Sequence, residues 1–227
     1  METRRHVLGK VLVIFENDDK ADGQSLSLIT CKLIGDKIDS LVFDPLKGFP
    51  ADFPNSTAGV IVGGGLPSVN DPKDWIAKEI NLIMRAASLR LPILGICFGH
   101  QLIAKAFGSE VIRGQRMVGF ANIVKIKDSP IFNNLPQSWR SPIYHQDRVS
   151  FVPEDFELIA TSDYCEIQAM QHSKLPIWTV QFHPEIDFGA NQFFADPVEE
   201  WNDEAAFESG PNKQLIDNFI DVCLSGY

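Results

Sequence analysis

Residues 91–107 read LPILGICFGHQLIAKAF and place one cysteine, Cys97, between a short apolar run and a helix-like stretch. The apolar residues 91–96 predict a buried strand, and residues 101–107 have the spacing of a helix that stops at Gly108. The N-terminal end of a helix offers unpaired N–H groups and a partial positive charge, which favour a thiolate there. The stretch therefore predicts a strand, a tight turn at the cysteine and a helix.

Two interpretations of Cys97 are open at this point. The glycines on either side, Gly95 and Gly99, allow a strained turn like the nucleophile elbow of hydrolases, with sulfur in place of oxygen. Free cysteine is also among the most buried residue types, so a cysteine beside a core strand is equally well explained by packing. The stretch alone does not decide between a nucleophile and a core residue.

The first half of the chain alternates strand-like and helix-like segments. Apolar runs that predict strands lie at 11–15, 40–43, 59–62 and 91–96, and helical patterns lie at 24–34, 74–89 and 101–107. Past Gly108, short strands are predicted at 110–113, 120–126, 142–144, 158–162, 166–170 and 177–181, and a helix at 212–224. We therefore predict a flavodoxin-like α/β fold, one domain over residues 1–227, with a mostly parallel sheet, helices on both faces and a smaller antiparallel region.

Composition argues against several classes of function. The formal net charge of −10 opposes binding to nucleic acid or to an anionic membrane surface. The four cysteines lie far apart, which fits neither a disulfide framework nor a zinc motif, and the five histidines lack metal-ligand spacing. No metal and no cofactor are therefore predicted. The N-terminus lacks a signal-peptide core and no run reaches membrane-spanning length, so a cytoplasmic protein is expected.

Three features follow predicted core strands: a glycine turn at 63–65, Cys97, and residues 183–185, HPE. Because ligands bind at the carboxyl ends of strands in an open α/β sheet, we expect the three to lie close together. Each has a structural explanation when taken singly, as a plain turn, a core cysteine or a structural histidine. Their joint occurrence at strand ends favours a catalytic site.

The chemistry of a cysteine nucleophile assigns a role to each feature. Cys97 needs a base that removes its proton and delivers it to a leaving amine, which fits His183. The histidine needs an acceptor at its second ring nitrogen, which fits Glu185. Negative charge on the attacked carbonyl oxygen needs preorganised N–H donors, for which the backbones of Gly65 and Phe98 are candidates.

The motifs resemble those of class I, triad-type glutamine amidotransferases. Residues 95–101, GICFGHQ, look like the family's G-I/V-C-x-G-x-Q nucleophile motif, and residues 181–185, QFHPE, like its histidine signature. Residues 62–68, VGGGLPS, are similar to its S-G-G-P-x-S oxyanion turn. Residues 144–149, YHQDRV, and 166–170, EIQAM, resemble segments of the amidotransferase domain of GMP synthetase and its free-standing relatives.

The resemblance implies hydrolysis of the γ-amide of glutamine, through a thioester on Cys97, to glutamate and ammonia. It implies His183 as acid and base and Glu185 as its orienting group. The residues that it places at the oxyanion and the small-molecule substrate are Gly64, Gly65, Phe98, Gln101, Tyr144 and His145. Since no synthetase domain is recognised, ammonia is expected to pass to a separate synthase or synthetase subunit.

Departures from the family pattern leave the substrate open. Gly63 and Leu66 replace the usual Ser and Pro of the oxyanion turn, and Met117 stands where relatives often carry a glutamate near the substrate. One alternative is a γ-glutamyl peptidase acting on glutathione-like compounds; another is a silent regulatory partner, against which the intact triad argues. Members of the protease and chaperone branch usually carry a histidine where this chain has Phe98. No role is predicted for residues 187–210, which have no clear period.

Overall fold

The computed structural model describes residues 9–17, 26–44, 47–189, 197–207 and 209–226, which form nine strands and four α-helices. The strands are β1 (Val11–Phe15), β2 (Asp39–Phe43), β3 (Thr57–Val62), β4 (Ile93–Ile96), β5 (Val111–Lys125), β6 (Ser138–Val149), β7 (Phe156–Thr161), β8 (Ala169–His172) and β9 (Ile177–Val180). The helices are α1 (Leu26–Ile34), α2 (Asp74–Ser88), α3 (Phe98–Ala106) and α4 (Ser209–Ser225). Residues 24 and 25 of the first predicted helix lie outside the described residues.

Five parallel strands form one half of the sheet, in the order β2-β1-β3-β4-β9. With β9 as the fifth parallel strand, this is the order of a flavodoxin-like doubly wound sheet. All residues of β4 and β9 are buried, because helices cover both faces of this half. That burial explains why these strands read as continuous apolar runs instead of alternating patterns.

The remaining four strands extend the same sheet by antiparallel pairing, in the order β9-β8-β7-β5-β6. The prediction of a mostly parallel sheet is therefore only partly right, because the sheet is mixed. The strands predicted at 110–113 and 120–126 are one strand, β5, which pairs with β6 across a register shift between Arg113 and Met117. The residues between the two predicted strands include Gly114 and Gly119, and glycine inside a strand often marks an irregularity of this kind.

Alternate residues of the central strands supply two apolar clusters on opposite faces of the sheet. Leu12 of β1 packs in one cluster and Val13 in the other, as the two-residue period of a strand requires. The first cluster includes the apolar face of α4, and the second includes apolar residues of α2 and α3. The predicted covering of both sheet faces by helices is confirmed.

Candidate active site

Four neighbouring parallel strands end at one edge of the sheet, and chemically capable residues follow each of them. Glu16 and Asn17 follow β1, residues 63–65 follow β3, Cys97 follows β4, and residues 181–185 follow β9. Because parallel strands present their carboxyl ends at the same edge, the topology brings the three predicted features together. It also adds the end of β1, for which no role was predicted from the sequence.

Cys97 occupies a strained turn between β4 and α3. Its backbone has φ 49° and ψ −98°, a region that costs a non-glycine residue about 1–3 kcal/mol. Two hydrogen bonds hold the turn, from Cys97 N–H to the Val180 carbonyl (2.8 Å) and from Gly99 N–H to the Gly63 carbonyl (3.1 Å). A Cβ on Gly99 would collide with the carbonyl oxygen of Val62, so only glycine lets α3 start this close to β3. These features are those of a nucleophile elbow.

The sulfur of Cys97 is buried, with the residue 4% exposed, and it has two polar neighbours. The Gln181 Nε2 atom donates to it at 3.7 Å, and the thiol faces the Tyr144 carbonyl at 3.7 Å. The Gln181 amide is oriented by Gln101, whose Nε2 donates to Gln181 Oε1 at 3.2 Å. An N–H donor of this kind stabilises negative charge on sulfur. Gln181 was predicted only as part of a motif, without a role of its own.

His183 and Glu185 form a buried pair, with Nδ1 2.7 Å from Oε1 and with 2% and 1% of the residues exposed. Burial alone would lower the pKa of His183, but the charge of Glu185 and the charge that Cys97 can carry outweigh it. The pKa of His183 is therefore raised well above its ordinary value of 6.5. The Nε2 atom has no hydrogen-bond partner among the described residues. Since Nδ1 is engaged by Glu185, Nε2 is the nitrogen left to exchange protons.

The glycine turn after β3 lies against this pair. A Cβ on Gly64 would stand 2.9 Å from His183 Cε1, so the turn and the imidazole are in contact. A Cβ on Gly65 would collide with the backbone of Asn17. Neither Gly65 N–H nor Phe98 N–H donates to a backbone acceptor within the described ranges, and their role as oxyanion donors stays a prediction.

Of the other predicted substrate residues, Tyr144 and His145 lie in β6, and Gln101 of α3 hydrogen-bonds to that strand. Gln101 Nε2 donates to the Asp147 carbonyl at 2.8 Å, and His145 Nδ1 lies 3.0 Å from the same oxygen. Burial lowers the pKa of His145 to about 4, so its ring is neutral at neutral pH. Gln101 and His145 are thus already held by the protein, and a substrate contact for either stays a prediction.

A segment without a predicted role, residues 197–207, packs beside this region. Trp201 is 1% exposed, donates from Nε1 to the Gly119 carbonyl at 2.9 Å and lies 6.2 Å, ring to ring, from Tyr144. The Glu200 carboxylate lies against Gly119, with Oε2 2.5 Å from the position of a Cβ there. A carboxylate thus lies against Gly119, which is two residues along β5 from Met117. Residues 190–196 and 208 lie outside the described residues.

Metal-ligating clusters and membrane-spanning helices are both absent from the described residues. The described part of the chain contains no group of three or more His, Cys, Asp or Glu residues that could hold a metal ion, and its four cysteines are free thiols. None of the helices in the described ranges combines the length and the hydropathy of a membrane-spanning segment.

Comparison with known proteins gives the family. Residues 43–196, more than half of the chain, match the model of the glutamine amidotransferase class-I family. The chain belongs to this family. The resemblance predicted from the motifs is therefore confirmed, and both Cys97 and His183 lie inside the matched residues.

Individual relatives in this amidotransferase family extend the comparison. A subunit of the glutamine-hydrolyzing GMP synthase of Methanocaldococcus jannaschii is 42% identical over 129 residues, which are 56% of this chain and 64% of that protein. The corresponding subunit of Archaeoglobus fulgidus is 34% identical over 167 residues, 73% of this chain and 75% of that protein. The alignments thus span about two thirds to three quarters of these relatives. A glutamine amidotransferase from Thermotoga maritima shares the fold, with a TM-score of 0.82 at 20% identity, over 96% of this chain and 99% of that one.

Proposed function

We propose that this protein hydrolyses the γ-amide of glutamine through a thioester on Cys97 and supplies the ammonia to a separate acceptor enzyme. The observation that carries the proposal is the meeting, at one edge of the sheet, of a buried His183–Glu185 pair and a cysteine in a strained turn. Strain of this kind persists only where the surrounding structure holds it, and it clusters at functional sites.

The first half of the reaction forms the thioester. His183 Nε2 takes the thiol proton while Cys97 Sγ forms a bond to the γ-carbonyl carbon of the substrate. The N–H groups of Gly65 and Phe98 bind the oxyanion that develops on the carbonyl oxygen. The tetrahedral intermediate collapses as the C–N bond breaks, and His183 delivers its proton to the nitrogen, which leaves as ammonia. Glu185 stabilises the imidazolium between these two proton transfers.

The second half regenerates the enzyme. His183 Nε2, now neutral, removes a proton from water as the water oxygen attacks the thioester carbonyl. The same donors bind the second oxyanion. The C–S bond then breaks, glutamate leaves, and the proton held by His183 returns to the sulfur of Cys97. One water is consumed, and no redox change occurs.

The choice of glutamine and of a separate acceptor rests on the relatives. The two archaeal relatives are named as one subunit of a glutamine-hydrolyzing GMP synthase, which supports both a glutamine substrate and a second, separate protein as the acceptor. The carboxylate of Glu200 also supports an amino-acid substrate, because it lies against Gly119 in β5, next to the residue that pairs with Tyr144.

A substrate comparison tests the proposal. Ammonia and glutamate release from glutamine, and amine release from glutathione and γ-glutamyl dipeptides, are measured for the wild type and for Cys97→Ser. We expect glutamine turnover that is lost in Cys97→Ser and retained in Cys31→Ser, a half-buried cysteine in α1. Absence of turnover of every γ-glutamyl compound, alone and with candidate synthetase subunits, would contradict the proposal. Turnover of glutathione far above that of glutamine would instead support the γ-glutamyl peptidase.

A further inference from the structure

Helix α2 carries a fully buried carboxyl group. Glu79 in α2 is 0% exposed, although the remainder of that helix has the pattern of a surface helix with one apolar face. Neither of its carboxyl oxygens has a hydrogen bond of good geometry among the described residues. Burial raises the pKa of Glu79 well above its ordinary value of 4.5. A weak hydrogen bond from the Asn17 amide lowers this pKa in part, and the nearby charge of Glu16 raises it further. Burial therefore favours the uncharged form of this carboxyl.

Asn17 connects this carboxyl to the turn. It is 0% exposed, its Nδ2 donates to the Gly63 carbonyl at 2.8 Å, and its Oδ1 has no partner within the described ranges. The Gly63 carbonyl also accepts from Gly99 N–H at 3.1 Å. Gly63 begins the turn that carries Gly65, and Gly99 directly follows Phe98. One carbonyl thus joins Asn17 to both backbone segments that carry the proposed oxyanion donors.

Packing makes the position of Gly65 depend directly on Asn17. A Cβ on Gly65 would collide with the Asn17 carbonyl oxygen and stand 2.8 Å from the Asn17 Cβ. The two backbones therefore touch without an intervening side chain. A rotation of the Asn17 amide away from the Gly63 carbonyl would free the turn to move, and the donors with it. Misplacement by about 1 Å can cost about a hundredfold in rate.

We propose that Glu79 is a positioning residue whose buried carboxyl holds the Asn17 amide against the Gly63 carbonyl and so places the oxyanion donors. This inference rests on the proposed function, because it concerns the oxyanion of the same reaction. An uncharged carboxyl both donates and accepts hydrogen bonds. It can therefore complement the Asn17 amide, whose Nδ2 already donates to the Gly63 carbonyl. An apolar side chain of the same size could fill the space but could not orient Asn17.

Three variants test the proposal. Glu79→Gln keeps an uncharged group that donates and accepts, so we expect kcat within about twofold of the wild type. Glu79→Leu removes the carboxyl and Asn17→Ala removes the amide of this contact. For both variants we expect kcat to fall at least about tenfold, with KM within about twofold of the wild type. Asn81→Leu, at an exposed position of α2, is the control and should leave kcat unchanged.

A second readout separates positioning from general damage. Alkylation of Cys97 by iodoacetamide displaces iodide and forms no oxyanion, so its rate should stay near the wild-type rate in Glu79→Leu and Asn17→Ala. Full kcat in folded Glu79→Leu and Asn17→Ala, or a Glu79→Gln as slow as Glu79→Leu, would overturn the inference. So would an alkylation rate that falls as much as kcat. If the wild type turns over no γ-glutamyl amide, the proposed function itself is overturned. If the wild type is active and the variants are equally active, only the positioning role of Glu79 is overturned.

Discussion

His183 Nδ1 lies 2.7 Å from Glu185 Oε1 in a pair that is buried on all sides. Only Pro184 separates the two residues in the chain, so the turn that follows β9 delivers both side chains to one place. The contact fixes the imidazole tautomer and leaves Nε2 for the proton that moves between sulfur and nitrogen. The remaining oxygen of Glu185, Oε2, has no hydrogen-bond partner among the described residues.

Removing the charge of this pair should impair proton transfer. In Glu185→Gln, burial is no longer opposed by the carboxylate, so the pKa of His183 falls. We expect kcat to drop about a hundredfold or more and the pH profile of kcat/KM to change. Glutamate release measured across pH for both proteins tests this, with Glu154→Gln as an exposed control. Wild-type kcat in Glu185→Gln would show that the pair is not used.

Stability at low pH should depend on His100, a fully buried residue whose Nδ1 lies 2.8 Å from Thr179 Oγ1. Burial lowers the pKa of His100 to about 3, whereas the unfolded chain takes up the proton near pH 6.5. The free energy of unfolding therefore falls as pH decreases from about 6.5 toward 3, by at most about 1.4 kcal/mol per pH unit from this residue. The stability of His100→Gln should fall less steeply. Urea titrations at several pH values test this.

The comparison for that experiment is His172→Gln. The His172 ring is only half-buried and burial lowers its pKa too, so we expect its removal to flatten the pH dependence less. Equal pH slopes for the wild type and His100→Gln would contradict the assignment of acid destabilisation to His100.

A methyl group at Gly64 should displace the imidazole. In Gly64→Ala the new Cβ would stand 2.9 Å from both His183 Cε1 and Leu26 Cδ1, closer than carbon atoms tolerate. We expect kcat to fall about tenfold to a hundredfold, with a loss of stability of about 1–3 kcal/mol. Gly210→Ala is the matched control, since nothing lies within 4 Å of a Cβ at that position of α4. A fully active Gly64→Ala would show that the turn does not contact the working imidazole.

The carboxylate of Glu200 should contribute to substrate binding. It lies against Gly119 in β5, and a negative charge there attracts the α-ammonium group of an amino-acid substrate. We expect Glu200→Gln to raise KM for glutamine severalfold, to leave kcat within about twofold, and to reduce the dependence of KM on salt. Initial rates at low and high salt measure this, with Glu204→Gln as an exposed control on the same segment. An unchanged KM would assign Glu200 to packing alone.

The parallel half of the fold could be predicted because its signals are local. A fully buried parallel strand such as β4 is a continuous apolar run, and the residues that follow it lie at the ligand-binding edge by topology alone. The antiparallel half was harder to predict. The strand β5 is half-exposed and irregular, so its two ends were predicted as separate strands.

The candidate site residues also differ in how far the sequence alone could predict them. Cys97, His183 and Glu185 stand in motifs next to strand ends, where residue type and position indicate chemistry. Asn17 is the second residue after a predicted strand, and that position alone could have identified it. The burial of Glu79 depends on how α2 packs against β1 and β3, which helical periodicity does not reveal.

Detection of the thioester itself tests the proposed reaction at its covalent step. The wild type and Cys97→Ala are mixed with glutamine, quenched in acid within the first turnovers, digested and analysed by mass spectrometry. We expect the wild-type peptide containing Cys97 to gain the mass of one γ-glutamyl group, and Cys97→Ala to show no such peptide. Glutamate formation without any adduct on Cys97, or continued turnover in Cys97→Ala, would contradict the proposed reaction.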